Sequence, residues 1–511
     1  MGTMASSTHQ FGVLDLIRAG LQDLDTARTL LDELRADGID DDRLCLLMKT
    51  LEQTCEPDIA LRNLVDIIKA LQSQGRDFHQ VITDDAGLVR LVTVLGVSDE
   101  MGKLMRFRPE LVMAAASDSC ESHLVQPRPA ARTCARSGRC RPCRQSARRK
   151  PRNPLRRRRL PCDRPTENSS PPSWRRTPPR KIPSKSSRES VQELSDLADA
   201  ALEGALAIAR NEVDGSEHVR FAIIGMGKLG ARELNYVSDV DLIYVVEPAD
   251  ADTNGMTLNR VGTKMATTLQ RVCQSVIMGV AEPTLWQIDG GLRPEGKDGP
   301  LVRKLESHEA YYEQWAENWE FQALLKARPV AGDPDLGQAY MDMTRPFVWA
   351  ASKRDNFVYD CQQMRKRVED LIPAPLKDRE IKLGRGGLRD VEFTVQMLQL
   401  VHGRADETLR TSSTLESLQR LAEGGYVSRR QAKKLSWDYR FERVMEHRQQ
   451  MWALKRTHLF PDLGKASLGG IERKRDTNDD ELNHNLELRR LARAFHMHPE
   501  ERLDKYDETR P

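Results

Sequence analysis

The sequence lacks the features of a membrane or secreted protein. It is 511 residues long and contains no run of about 18 uncharged apolar residues, so no transmembrane helix is expected. Its first residues lack the basic-then-apolar pattern of a signal peptide. Its nine cysteines do not form the framework of a small secreted domain, which favours a reducing compartment. We therefore expect a cytoplasmic protein with no membrane partner and, from its length, two to four domains.

Charge is distributed very unevenly along the chain. Residues 121–190 contain 21 Lys and Arg against 4 Asp and Glu, a local charge of +17 in a chain of net +3, so the remainder carries −14. The same window holds 12 of the 26 prolines and almost no aliphatic periodicity. Such a composition cannot bury enough apolar surface to offset chain entropy, which predicts disorder for residues 119–190.

Three interpretations of this window compete. The four consecutive arginines from Arg156 to Arg159 would suit a nucleic-acid-binding arm. Zinc binding by four cysteines is disfavoured because only one Cys-x-x-Cys pair is present; the candidates are Cys134, Cys140, Cys143 and Cys162. A segment rich in Arg, Pro, Ser and Cys is also typical of GC-rich coding sequence that is translated in the wrong reading frame. We favour a frameshifted or non-native segment over residues 121–186.

The most informative stretch runs from Gly225 to Tyr244. An apolar run, Val219 to Ile224, leads into Gly225-Met-Gly-Lys, and a second run from Asp239 to Val246 opens with Asp239 and Asp241. Side chains alternate faces along a strand, so both carboxylates point the same way. A glycine turn after a strand can present backbone N–H groups to phosphate. Neighbouring carboxylates suit Mg²⁺, which also binds substrate phosphates.

A third carboxylate follows a predicted helix. Leu258, Val261, Met265 and Leu269 recur at helical spacing. Leu285 to Asp289 then reads as a short strand that ends in Asp289. A Gly-x-Gly motif by itself usually forms a turn without a binding role. An Asp-x-Asp motif by itself could be the solvent-exposed start of an edge strand. Together, the three features predict a metal-dependent nucleotidyl-transfer site with Asp239, Asp241 and Asp289 on Mg²⁺.

The remaining sequence predicts mostly helices. Apolar residues recur every three or four positions in 11–20, 26–35, 57–73, 84–95 and 99–107, and again in 191–210, 388–401, 414–422, 429–453 and 486–496. Asp25, Pro57 and Ser98 occupy positions that suit helix starts. The fold class predicted is α+β, with a small mixed sheet between helical regions.

Four ordered blocks resemble one enzyme family. They are Gly225–Tyr244, Leu292–Val302, Trp319–Asp333 and Ile381–Phe393. Each resembles a block of the bifunctional glutamine synthetase adenylyltransferase/adenylyl-removing enzymes. The residues in these blocks are closer to those of the N-terminal, adenylyl-removing unit. That family carries two transferase units, whereas this chain shows one, as though truncated. The resemblance covers roughly residues 190–460.

The resemblance implies a polymerase-β-type transferase domain over residues 191–375, between helical regions at 1–118 and 376–511. It implies phosphorolytic removal of AMP from a glutamine synthetase tyrosine, giving ADP, and ATP as the AMP donor when the tyrosine is modified. Gly225, Gly227 and Lys228 would hold phosphates beside Ser238, and Arg293 and Lys297 would neutralise charge. A PII-type signal protein is an implied regulator. Alternatives are a uridylyltransferase, an RNA-tailing enzyme or an inactive remnant; nucleic acid is not the expected partner.

Five further residues invite a functional interpretation. His447 lies in a helical stretch without ligand partners, so we expect a structural histidine. Trp315 and Trp319, spaced i and i+4, are predicted to be core anchors. Asp390 and Glu392 follow a Gly-Gly turn, where a helix N-terminus favours acidic residues through its dipole. For them, a structural role is favoured over one at the site.

Overall fold

The computed structural model describes residues 11–116, 186–251, 254–276 and 284–459. The predictions for the basic window up to residue 185, for its cysteines and for a helix at 486–496 lie outside these residues. The predicted helix at 191–210 begins earlier, at Ser186, so the prediction of disorder is wrong for residues 186–190.

The N-terminal part is helical. Its helices are α1 (Val13–Arg18), α2 (Leu24–Ala36), α3 (Asp41–Leu51), α4 (Pro57–Ser73), α5 (Phe78–Val81), α6 (Asp85–Leu95), α7 (Asp99–Phe107) and α8 (Pro109–Ala116). They share one apolar core that includes Leu34, Leu64 and Leu91.

Helix starts follow the expected chemistry with one correction. Pro57 occupies the first turn of α4, and the Ser98 side chain accepts from the Met101 N–H at 3.2 Å. The predicted cap at Asp25 is wrong, because Asp23 accepts from the Thr26 N–H at 3.1 Å and places Asp25 in the first turn. Helix α3 was not predicted, although Leu44, Leu47 and Leu51 have helical spacing.

The central part is a mixed sheet with helices on both faces. Its helices are α9 (Ser186–Glu212), α10 (Gly227–Gly230), α11 (Gly255–Gln274), α12 (Leu305–Gln314), α13 (Asn318–Leu324) and α14 (Pro334–Ala350). Its strands are β1 (Val219–Gly225), β2 (Asp239–Pro248), β3 (Gln287–Asp289), β4 (Val302–Arg303) and β5 (Arg328–Gly332). The strand order is β3-β2-β1-β5, and β4 also pairs with β2. β1 is antiparallel to β2 and β5, whereas β3 and β4 run parallel to β2.

Alternation of side chains explains why β1 and β2 are almost entirely apolar. Phe221 and Ile223 join the core that contains α9 and α11, whereas Ala222 and Ile224 join the core that contains α14. A strand covered on both faces carries apolar residues at successive positions. This double burial fixes the register that places the polar start of β2 beside the glycine turn.

Four more helices follow the sheet. They are α15 (Phe357–Asp370), α16 (Leu388–His402), α17 (Thr414–Glu423) and α18 (Arg429–Ala453). The last three agree with the predicted spans to within one residue. They share an apolar core that includes Leu388, Leu418 and Tyr439.

The predicted α+β class is confirmed: the described chain is mostly helical, with one small mixed sheet. The predicted strand at 285–289 is shorter, because pairing with β2 begins only at Gln287. Within the described residues, no helix is long and apolar enough to cross a membrane. The boundaries predicted at residues 191, 375 and 376 stay predictions.

Candidate active site

The glycine turn after β1 lies against the carboxylate of Asp241. Gly227 opens α10 with a φ of +53°. A Cβ atom at Gly227 would lie 2.8 Å from Asp241 Oδ2, so only glycine fits this conformation and this space. The Met226 N–H donates to the Asp241 backbone carbonyl at 2.8 Å, which fixes the turn against β2.

Asp239 and Asp241 line the same cavity, as their i, i+2 spacing predicts. Burial, followed by the charges of Asp239 and Asp289, raises the pKa of Asp241 to about 6. Ionisation of this carboxyl is therefore opposed by its surroundings. A cation bound beside it would relieve that negative potential.

The third predicted carboxylate, Asp289, is not part of the cavity lining. Asp289 lies opposite Asp241 in the β2–β3 register, but its side chain is exposed and accepts from the Gly291 N–H at 2.7 Å. Across the ranges that the structure describes, no group of three or more His, Cys, Asp or Glu side chains is arranged to hold a metal ion. One oxygen of Asp289 is thus held by its own loop, while its charge still contributes to the raised pKa of Asp241, and its role as a metal ligand stays a prediction.

The pair is chemically suited to a hard divalent cation. Mg²⁺ is commonly held by one or two carboxylates and completes its shell with substrate phosphates and water. Asp239 already attracts a cation, since Arg456 Nη1 lies 2.6 Å from its Oδ2. Asp239 and Asp241 are thus the residues that would hold Mg²⁺.

Cationic side chains line the same cavity, which has a volume of about 230 Å³. They are Lys228, Lys326, Lys382 and Arg389. A small cavity with three carboxylates (Asp239, Asp241 and Glu392) and four cations can hold a metal ion together with a phosphate-bearing ligand.

Lys228 is held by a buried carboxylate of α18. Its Nζ donates to Glu446 Oε1 at 2.7 Å and to Asn235 Oδ1 at 3.1 Å. Glu446 also pairs with Arg443, whose guanidinium donates to the Glu233 carbonyl at 2.6 Å. Burial lowers the pKa of Lys228 to about 7, although Glu446 favours its charged form. A phosphate in the cavity would stabilise that charge further.

Glu392 organises two more of the cations. Lys326 Nζ lies 3.9 Å from Glu392 Oε1, and Arg389 Nη1 lies 3.3 Å from Oε2. Lys326 also lies 3.3 Å from Glu233 Oε2. Burial opposes the ionisation of Glu392, but Lys326 and Arg389 lower its pKa to about 2. Glu392 is therefore an ionised carboxylate of the cavity wall, a place that the dipole argument alone did not give it.

Lys382 differs from the other three cavity cations. Lys228, Lys326 and Arg389 each pair with a carboxylate, whereas the Lys382 ammonium has no ion pair within the described residues. Its backbone N–H donates to Glu380 Oε1 at 3.0 Å, which fixes the segment. Burial, followed by Arg389, lowers the pKa of Lys382. This ammonium is thus available to an anionic ligand.

Part of the cavity lining is apolar or aromatic. Trp319, Phe393, Met364 and Val368 form it, beside Gln322, whose amide donates to Gln396 Oε1 at 2.9 Å. These side chains provide the flat and apolar surfaces that suit a nucleobase.

The prediction that both tryptophans are core anchors is wrong. Trp315 is 73% exposed, and Trp319 lines the cavity. No single helix contains both residues: α12 ends at Gln314 and α13 begins at Asn318. Their i, i+4 spacing therefore does not place them on one face.

The predicted phosphate-binding residues divide into two groups. Gly227, Lys228 and Ser238 line the cavity, and Gly225 ends β1 just before them. Arg293 and Lys297 do not line it. The Arg293 guanidinium instead donates to the carbonyls of Gly290 at 2.7 Å and Gly299 at 3.1 Å, which holds the loop after β3.

The two other residues considered are structural. His447 is buried, and burial followed by Arg443 lowers its pKa to about 3, so it is neutral, as a structural histidine would be. Asp390 pairs with Arg365 and accepts from the Gly386 N–H at 2.6 Å, which fixes the glycine loop before α16.

Sequence reasoning missed Lys326, Lys382 and Arg389 as site residues. All three line the cavity. They lie inside the blocks 319–333 and 381–393, whose resemblance to the family did not identify individual ligands. Basic residues beside the glycine-rich turn at 384–387 were the available signal. Glu446 carried no local signal, because its role depends on contact with a lysine 218 positions away.

Comparisons with known proteins identify similar enzymes. A family model described as glutamate-ammonia ligase adenylyltransferase matches residues 184–343, and one described as PII-uridylyltransferase matches residues 362–470. A bifunctional glutamine synthetase adenylyltransferase/adenylyl-removing enzyme of Bifidobacterium longum is 68% identical over 99% of this chain and 47% of its own length. Enzymes of the same description from Cutibacterium acnes (42% identity; 88% of this chain, 45% of theirs) and Mycolicibacterium smegmatis (52%; 60% and 28%) are also similar. The chain spans about half the length of the first of these relatives.

Proposed function

Because this chain belongs, over the part of their length that it spans, to the family of bifunctional glutamine synthetase adenylyltransferase/adenylyl-removing enzymes, we propose that it is a nucleotidyltransferase unit acting on glutamine synthetase. The observation that carries the proposal is the single cavity in which Asp239 and Asp241 face four cationic side chains. We assign the sheet and its helices to the polymerase-β type of transferase fold.

The proposed reaction is phosphorolysis of an AMP–tyrosine bond. An oxygen of inorganic phosphate attacks the phosphorus of AMP, the bond to the tyrosine oxygen breaks, and that oxygen takes a proton. The products are ADP and free tyrosine. Phosphate is already anionic, so the attacking group needs no strong general base. Transfer of AMP from ATP to the tyrosine, which releases pyrophosphate, must instead deprotonate a tyrosine of pKa about 10.

The cavity residues supply binding and charge. Lys382, which has no carboxylate partner among the described residues, would bind a phosphate oxygen, and Lys228 would hold another. Trp319 and Phe393 would contact the base. Mg²⁺ on Asp239 and Asp241 would offset the charge that builds on the reacting phosphate oxygens.

Two assays separate the directions of reaction. The chain is incubated with adenylylated glutamine synthetase, phosphate and Mg²⁺, and ADP release is measured. It is then incubated with the unmodified synthetase and labelled ATP. We expect ADP in the first assay and no label transfer in the second. Labelling in the second assay without ADP in the first would reverse the assigned direction.

Matched variants connect the activity to the cavity. Asp239→Asn and Asp241→Asn are expected to abolish ADP release while the far-UV circular dichroism spectrum stays unchanged. Asp298→Asn, an exposed residue outside the cavity, is expected to keep normal rates. Wild-type rates in both cavity variants would rule out this site.

A uridylyl-transfer function is the second candidate, because the model described as PII-uridylyltransferase matches residues 362–470. Labelled UTP with a PII-type protein tests it directly. Such a protein is otherwise proposed as a regulator, and the cytoplasm as the compartment. Silence in every assay with well-folded protein would indicate an inactive remnant.

A further inference from the structure

A short segment after α18 is attached to the cavity residues at several points. We call residues 454–459 the strap. Arg456 Nη1 lies 2.6 Å from Asp239 Oδ2, and His458 Nδ1 lies 3.4 Å from Glu446 Oε1. The backbone of the strap also accepts the Ile381 N–H at 2.8 Å, through the His458 carbonyl. The strap therefore contacts a candidate metal ligand, the carboxylate that holds Lys228, and the segment that carries Lys382.

The Arg456 contact conflicts with metal binding at the same oxygen. Mg²⁺ binds carboxylate oxygens directly, at roughly 2.0–2.1 Å, and demands near-ideal geometry. The guanidinium group of Arg456 already occupies Oδ2 of Asp239 at hydrogen-bond distance. A cation that ligates that oxygen would face the positive charge of the guanidinium group at close range, so the two cations compete for it.

We propose that Arg456 competes with the metal ion for Asp239, so that metal binding at Oδ2 of this carboxylate is coupled to release of the strap. The inference rests on the proposed function, in which Asp239 and Asp241 hold Mg²⁺. Arg456 is suited to such a role because its side chain is 49% exposed, so it can leave Asp239 without disrupting the core. Asp239 is more enclosed, with 22% of its side chain exposed.

Release of the strap would also reach the phosphate-binding side of the cavity. Glu446 contacts His458 of the strap as well as Lys228 and Arg443. Movement of the strap would remove one of the three groups around this carboxylate. Metal binding and the position of the Lys228 ammonium are thereby coupled through one buried side chain, Glu446.

The test is metal affinity in the absence of substrate. Mn²⁺ binding to the full chain is measured by electron paramagnetic resonance for the wild type and for Arg456→Ala, with Mg²⁺ as a competitor. Since a partly exposed ion pair is modest in strength, Arg456→Ala should tighten Mn²⁺ binding by roughly three- to tenfold. Lys455→Ala, the neighbouring exposed cation, removes the same charge without a contact to Asp239 and should change affinity by less than about twofold.

The possible outcomes are distinct. Equal affinity in wild type and Arg456→Ala, with measurable Mn²⁺ binding in both, would overturn the competition while leaving the metal assignment intact. Equal gains in Arg456→Ala and Lys455→Ala would also overturn it, because the effect would then be general electrostatics. Absence of Mn²⁺ binding in every variant at millimolar concentration would refute both the proposed metal site and the competition.

Two further measurements guard against misfolding and non-specific binding. The double variant Asp239→Asn/Arg456→Ala should lose the gain in affinity, since the contested carboxylate is gone. In the wild type, Mn²⁺ should accelerate trypsin cleavage after Arg456, followed by mass spectrometry of the 456–457 bond. An unchanged or slower cleavage rate there would contradict release of the side chain.

Discussion

Asp241 and Lys228 line one cavity with pKa values displaced toward each other. Burial is the main cause for both: it raises the pKa of the carboxyl to about 6 and lowers the pKa of the ammonium to about 7. Each group is held in a site that disfavours its charged form. A metal cation beside Asp241 would favour its charged form, and a phosphate beside Lys228 would add to the effect of Glu446. The cavity is therefore suited to a metal ion and an anionic ligand together.

The difference between Lys382 and Lys297 can be tested at single residues. Lys382→Ala is expected to weaken phosphate binding by roughly ten- to a hundredfold, because hydrogen bonds to charged groups are strong in a buried site. Lys297→Ala is the matched control, since this lysine is exposed and lies outside the cavity lining. The dissociation constant for inorganic phosphate is measured by calorimetry. A larger loss of phosphate affinity in Lys297→Ala than in Lys382→Ala would indicate that phosphate binds at the loop after β3 instead.

Helix α18 carries an unusual number of charged side chains into the interior. Arg443 and Glu446 are buried and form an ion pair, and Lys228 completes the group. Breaking such a buried group by removing one member costs roughly 3–5 kcal/mol, because an uncompensated charge remains. The helix is therefore a supporting element of the cavity rather than a simple apolar packing partner.

Glu442 of α18 gives this element a measurable pH dependence. Burial, followed by Asp438 and Asp390, raises its pKa to about 9, and its Oε2 has no hydrogen-bond partner among the described residues. The folded protein thus keeps a proton that the unfolded chain, with a carboxyl pKa near 4.5, releases. The stability that the neutral Glu442 carboxyl contributes is fully present below about pH 4.5 and is lost progressively as the pH rises toward 9.

Glu442→Gln is expected to remove that loss. Relative to wild type, the variant should gain roughly 1 kcal/mol or more in free energy of unfolding between pH 5.5 and pH 8.5, since one such group contributes up to about 1.4 kcal/mol per pH unit. Urea denaturation at several pH values measures the difference. Glu313→Gln, at an exposed position of α12, serves as the control and should show no such trend. A constant difference between wild type and Glu442→Gln at all pH values would contradict the raised pKa.

Several buried contacts cross the predicted boundary at residue 375. Lys228 pairs with Glu446, Asn235 Nδ2 donates to Gln450 Oε1 at 2.7 Å, and Glu233 accepts from the Thr414 N–H at 2.7 Å. The partners beyond residue 375 supply charges and amides that the sheet region cannot supply itself. Residues 191–375 therefore resemble part of a larger folding unit.

A fragment experiment follows from these contacts. A fragment of residues 186–375 would leave Lys228, Glu233 and Asn235 without their partners, and each unsatisfied buried polar group costs about 1–3 kcal/mol. We expect this fragment to lack a cooperative thermal transition, whereas residues 186–459 should show one. Differential scanning calorimetry compares the two. A cooperative transition in the shorter fragment would support an independent transferase domain with the predicted boundary.

Local patterns predicted the parts of this protein that depend on neighbours in the chain. The apolar runs before Gly225 and after Asp241 became β1 and β2, and the helical spacing near 429–453 became α18 with the same ends. The i, i+2 spacing of Asp239 and Asp241 was enough to place both on one face. These outcomes follow from backbone periodicity and from glycine's tolerance of positive φ, which act over a few residues.

Contacts over long sequence distances decided the rest. Asp289 has the right register beside Asp241, but one of its oxygens accepts from the backbone of its own loop, and its side chain does not line the cavity. Arg293 is occupied by carbonyls of its own loop, and Trp319 faces the cavity because α12 stops at Gln314. The sequence by itself determined the α+β class, the glycine turn and the carboxylate pair. Only the tertiary structure brought Lys382 and Glu392 to that pair, and placed Arg456 on Asp239, because burial and charge pairing are properties of the packed molecule.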